Sequence, residues 1–185
     1  RGVPGKSAVW ARLAEVCLDR ASAASGVSGE DRSMRVIILT TRHVSYNPRV
    51  VKEADALSEA GHDMTVVAVC NHAGQAELDR ALMRERPWRL VTVSCRRRGG
   101  GPLESARWLW QALRQRLAQR VCAKWWHPWW IERAQGREMP ELARLAGRTP
   151  AELYIAHHAE ALPAAAAAVR RHGARLAFDA EDFHS

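Results

Sequence analysis

The sequence predicts an α/β domain on a parallel, doubly wound sheet, and three observations carry that prediction. Short unbroken runs of β-branched and aliphatic residues recur, among them Val36-Ile37-Ile38-Leu39. Such runs are the texture of strands covered on both faces rather than one. Segments with helical periodicity lie between them, and strand and helix alternate along the chain. A helix joining two parallel strands of one sheet closes right-handed, which stacks successive units into a doubly wound fold.

The elements follow in order. Residues 1–33 read as a short amphipathic helix over 7–20 and a small-residue, polar linker over 21–33, together a poorly ordered extension. Met34 opens the domain, expected to run over 34–185, and stands where a natural start would fall. The first strand covers 36–39. Asn47-Pro48 then reads as a helix N-cap with proline at the first helical position, where its missing N–H costs nothing. Val50, Ala54 and Leu57 share one face of that helix, and Gly61 supplies its left-handed stop. Further strands are predicted over 65–69, 90–94, 153–156 and 175–178. Helices are predicted over 103–126 and 160–171, the second built on the alanine run 164–168 and ended by Gly173.

Composition narrows the function classes. The 185 residues hold one domain and a tail, not two domains. A net charge of +8 favours nucleic acid, anionic membrane or phosphorylated substrates as partners without choosing among them, and an arginine- and alanine-rich composition can also reflect a GC-rich genome. Cys17, Cys70, Cys95 and Cys122 lie far apart with no zinc or redox spacing, the pattern of inert thiols in a reducing cytosol. Arg12, Glu15 and Asp19 interrupt the N-terminal apolar residues, so no secretory leader forms, and no apolar run reaches the length of a membrane span. A soluble or peripheral protein is expected.

In an open α/β sheet ligands bind beyond the carboxyl ends of the strands, so the residues there are the candidates. The loop 40–47 contains no glycine, whereas a dinucleotide fingerprint or a P-loop needs glycines to bring backbone up to phosphate. It offers instead Ser45, Tyr46 and Asn47 beside the positive end of a helix, a place for an anionic or sugar hydroxyl group, although Asn47 can equally be a plain cap. His157 and His158 follow the fourth strand, with Glu160 close enough in sequence to share a proton; either a structural or a binding role fits them. Asp179, Glu181 and Asp182 crowd the end of the last strand, where carboxylates can serve as acid and base, bind a metal or cap a helix.

The segment 103–130 differs in kind. Ala106, Leu109, Trp110, Leu113, Leu117 and Val121 form one helical stripe, flanked by Arg107 and Arg114 on one side and Arg116 and Arg120 on the other. Trp125, Trp126, Trp129 and Trp130 follow around His127-Pro128. An apolar face with a basic rim and adjoining indoles suits an anionic membrane surface. The alternative is that the stripe packs on the domain's own sheet.

Two stretches together resemble the N-terminal domain of glycosyltransferase family four. One is MRVIILTTRHVSYNPRVVKEADALSEAGHDMTVVAV, with its S-x-N-P-R-V helix start and A-G-H turn; the other is AELYIAHHAEALPAAAAAVRRHGARLAFDAEDFHS. The resemblance implies a Rossmann-like domain, one half of a two-domain GT-B enzyme that retains anomeric configuration without a metal or other cofactor. The nucleotide-sugar donor would be gripped mainly by a second domain beyond Ser185, leaving this chain a fragment, probed from the acceptor side by a glycan or lipid-linked acceptor. It also implies a functional histidine at His157, in a pattern close to H-A-H-N, with His158 standing where asparagine is usual. Acceptor contacts would come from Ser45, Tyr46, Asn47, His158, Glu160, Asp179, Glu181 and Asp182. The family's glycine-rich first loop and its D-A-H-E are replaced here by residues 43–47 and by Asp179-Ala180-Glu181-Asp182. Polysaccharide assembly on the cytoplasmic face of a membrane is the expected setting. A non-catalytic flavodoxin-like module is the alternative, but Thr40, Thr41 and Arg42 stand where a phosphate-receiving domain clusters acids. Nucleic acid is not expected, since buried strands leave little open sheet for base stacking.

Overall fold

A computed structural model describes residues 33–96, 101–125 and 128–179. The predicted extension over 1–33 falls outside them except for Ser33. Five strands form one all-parallel sheet: β1 (Arg35–Leu39), β2 (Asp63–Cys70), β3 (Arg89–Ser94), β4 (Leu153–His157) and β5 (Arg175–Asp179), in the order β3-β2-β1-β4-β5. This is the predicted Rossmann-like α/β fold. Each strand extends past a predicted end, mostly by polar residues such as Asp63, Arg89 and Asp179 that carry no hydrophobic signal, and β2 also takes in Met64 and Cys70.

Six helices connect the strands: α1 (Pro48–Glu59), α2 (Ala73–Leu82), α3 (Gly101–Lys124), α4 (Pro128–Gln135), α5 (Met139–Ala146) and α6 (Leu162–His172). One-turn 3-10 helices at Val44–Tyr46 and Met83–Glu85 complete the described elements. Asn47 caps α1 as predicted, its side-chain oxygen accepting from the Val50 N–H, and Gly61 and Gly173 take positive φ after α1 and α6. Three helices have no counterpart in the sequence reading. In α2 the buried residue is Asp79 and Leu78 points to solvent, so no apolar stripe announces it. The other two, α4 and α5, are only eight residues long.

Strand pleating sends Val36, Ile38, Met64, Val66, Ala68 and Ile155 to one face, where Val50, Val51 and Ala54 of α1 and the partly buried Leu82 of α2 cover them. Trp88 closes this core, its indole N–H donating to Asp55 at 2.7 Å. The opposite face carries Ile37, Leu39 and Tyr154. There Tyr154 stacks on His172 of α6 and donates to the Thr149 carbonyl at 2.7 Å, while α5 packs against β2 and α6. Fully burying side chains of this size stabilises by roughly 1.5–3 kcal/mol each, which is why the strands lie central and the helices outside.

The helix α3 buries Gln111 and Ala118, and its acid Glu104 turns inward to Arg96 at 2.8 Å. Arg114 also turns inward, to Glu141 and the Arg137 carbonyl at 2.7 Å. The stripe of Leu109, Trp110, Leu113 and Leu117 lies on the far side, exposed. Packing of that stripe on the domain's own sheet is therefore overturned: short polar contacts and Ala118 let α3 approach its neighbours on the other side. Trp125 is exposed and Trp130 half-buried, while Trp126 and the side chain of Trp129 are outside the described residues.

Candidate functional site

The strand order places the switch point between β1 and β4: the chain leaves β1 by α1 on one face and β4 by α6 on the other, so a crevice opens beyond their carboxyl ends. Side chains from the β1–α1 loop, from α1 and from the ends of β4 and β5 converge there.

The β1–α1 loop is fixed from beneath. His43 is buried, and its Nδ1 lies 2.6 Å from the buried Asp79 carboxylate of α2. Its Nε2 accepts from the Asn71 and His72 N–H groups at 3.1 and 3.3 Å, which puts the proton on Nδ1, donating to Asp79. The other Asp79 oxygen accepts from the Ser45 N–H at 2.8 Å. This clamp holds Ser45, Tyr46 and Asn47 at the crevice. The Ser45 hydroxyl is buried with no hydrogen-bond partner among the described residues, and Tyr46 projects into solvent.

Across the crevice His158 adopts φ +67°, a left-handed conformation that costs a non-glycine residue roughly 1–2 kcal/mol. Such strain persists only where its surroundings enforce it. It brings His158 Nε2 within 3.4 Å of Asn47 Nδ2, joining two predicted site residues over the gap between β1 and β4. Thr41 Oγ1 donates to Glu160 Oε2 at 3.2 Å, a second link between the same loops.

His157 sits one residue deeper and is fully buried. Its Nε2 lies 2.6 Å from Glu53 of α1 and its Nδ1 3.3 Å from Asp179 at the end of β5. Asp179 also meets Arg49 at 3.3 Å and is 29% exposed, so the contact between this histidine and the crevice runs through a carboxylate. Glu53 and Arg49 escaped the sequence reading. Their spacing of four puts them on one face of α1, but nothing local to α1 reveals that this face points at β4 and β5. His43 and Asp79 escaped it as well, because they are 36 residues apart. Glu181 and Asp182 lie outside the described residues.

Of the described cysteines, Cys70 and Cys95 are buried and burial raises both thiols, Cys95 to about 11, so neither offers a thiolate near neutrality. No group of three or more His, Cys, Asp or Glu among the described residues is placed to hold a metal ion. Compared with protein-family models, with curated proteins and with solved structures, the chain shows no significant match to any of them.

Proposed function

We propose that this domain is the acceptor-binding half of a nucleotide-sugar-dependent glycosyltransferase of GT-B architecture, acting with retention on a glycan or lipid-linked acceptor. The observation that carries the reading is the convergence of Asn47, His158, Glu160 and Asp179 at the switch point, over a first loop without a phosphate-cradling glycine. Amide, imidazole and carboxylate groups in a crevice are suited to pairing with several hydroxyls at once, and the two resembling stretches fall on the loops that supply them. A second domain of the same class would hold the nucleotide and bring the donor over this crevice, since a half-site cannot orient both substrates.

In this reading Asp179, Glu160, His158 and Asn47 touch the acceptor, and Ser45 and Tyr46 line its approach. His157 is a positioning residue. Held by Glu53 at 2.6 Å, it orients Asp179 against the pull of Arg49. The full-length protein, incubated with labelled nucleoside-diphosphate sugars and a membrane-derived acceptor extract, is expected to transfer label. Asp179→Asn is expected to lower kcat/KM about 10²-fold or more, in line with other single active-site groups. Failure of the full-length protein to bind, hydrolyse or transfer any nucleotide sugar would sink the proposal and leave a binding module on the same fold.

A further inference from the structure

We propose that the outer face of α3, together with an arginine-walled pocket at its flank, is a docking surface for an anionic phospholipid membrane. This stands independently of the reaction proposed above. Leu103, Leu109, Trp110, Leu113 and Leu117 are between 55% and 83% exposed; Leu109, Leu113 and Leu117 lie on the side of α3 away from its buried Gln111 and Ala118, with Leu103 and Trp110 adjoining them on the flank. A single large apolar side chain on a surface is ordinary; five on one face of one helix form a patch that marks an interaction surface.

Charge selects the occupant. Glu104 is the one acid in α3, and its salt bridge to Arg96 turns it inward, away from the apolar face. Arg107, Arg116, Arg120 and Lys124 remain exposed on α3. Arg107 is also a wall of a cavity of about 220 Å³ that it shares with Thr92, Ser94, Glu141, Arg144 and Arg148. The Glu141 carboxylate is engaged by Arg114 at 2.7 Å, so three guanidinium groups dominate the pocket. A volume of that order accommodates a phosphodiester headgroup, and planar guanidinium forks match its oxygens. Leucine and tryptophan beside it would enter the acyl boundary, with Trp125, also exposed, at the headgroup level. No helix among the described residues is long and apolar enough to cross a membrane, so α3 would lie in the interface plane.

The test is sedimentation of the full chain with phosphatidylcholine vesicles made with and without phosphatidylglycerol, at low and high salt. Binding is expected with the anionic lipid only, weakening as salt screens the contact. Joint replacement Arg107→Gln, Arg144→Gln and Arg148→Gln should weaken it about 10²-fold, at about fivefold per charge removed. Leu109→Ser with Leu113→Ser should weaken it about tenfold or more, because those side chains would leave the acyl boundary. All five positions are exposed or line an open pocket, and a thermal melt of each variant verifies that folding is intact. Four results overturn the proposal: folded protein left in the supernatant at low salt, equal binding to neutral vesicles, full binding by the leucine variant, or displacement by soluble glycerol phosphate, which would assign the pocket to a free phosphate ester. A parent that self-associates through this face, and a leucine variant that does not, would assign the face to a second copy and overturn it too.

Discussion

Asp79→Ala tests the clamp beneath the β1–α1 loop. The substitution removes the acceptor for the buried His43 Nδ1–H and for the half-buried Ser45 N–H. Two donors left without partners cost about 1–3 kcal/mol each, an expected loss of about 2–6 kcal/mol. Domains of this size are stable by only about 5–15 kcal/mol and lose about 2–4 °C of Tm per kcal/mol, so the melt should fall by about 4–24 °C. Asp79→Asn keeps one oxygen acceptor while its amide NH₂ faces the other donor, and should fall between the parent and Asp79→Ala. Urea and thermal unfolding of the three proteins measure the series. A loss under about 1 kcal/mol for Asp79→Ala, with unchanged unfolding cooperativity, would refute the claim that the dyad holds the loop.

Other outcomes follow from the same structure. In the transfer reaction proposed above, His157→Gln should lower the rate but add little to Asp179→Asn, because a residue that acts through another loses its effect with it; additive losses would show a separate role. Leu142→Ala in the buried face of α5 should cost about 2–5 kcal/mol, whereas Trp110→Ala on the outer face of α3 should stay within about 0.5 kcal/mol, read by chemical denaturation. Glu152 is held below the ordinary carboxylate range, first by the Arg35 backbone N–H that donates to it at 2.8 Å and then by the Arg35 charge. Its stabilisation is present above the unfolded-state value and lost as pH falls through the lower folded value, so Glu152→Gln should lower Tm at neutral pH and cease to matter in acid. Burial raises Glu138 instead, which makes its charged form the unfavourable one when folded; Glu138→Gln should raise Tm at neutral pH and lose that advantage in acid.

How far the sequence discloses this molecule depends on whether a signal is local. Val36 to Leu39 are apolar on every position because both faces of β1 are covered, and Asn47-Pro48 starts a helix through bonds within three residues; both could be read directly. The clamp and the Glu53–His157–Asp179 row span 36 and 104 residues or more, and each member taken alone is an ordinary polar residue. The order of the strands is what brings them together. His158 is the intermediate case: its position after a strand suggested a site, but its positive φ and its approach to Asn47 belong to the folded crevice.

The stripe on α3 shows the same limit from the other side. A helical wheel locates the apolar face but cannot say what it meets, since a wheel has no neighbours. The structure answers through the opposite face, where Gln111 reaches toward the Ser94 carbonyl, Glu104 pairs with Arg96, and Arg114 pairs with Glu141. Those contacts fix the rotation of α3 with polar and small residues. Rotating the helix by half a turn to bury the leucines would break these contacts and take their partners from Arg96, Glu141 and the Ser94 carbonyl. The outward stripe is therefore the setting that these contacts hold, and the apolar face that results is open to whatever lies beside it.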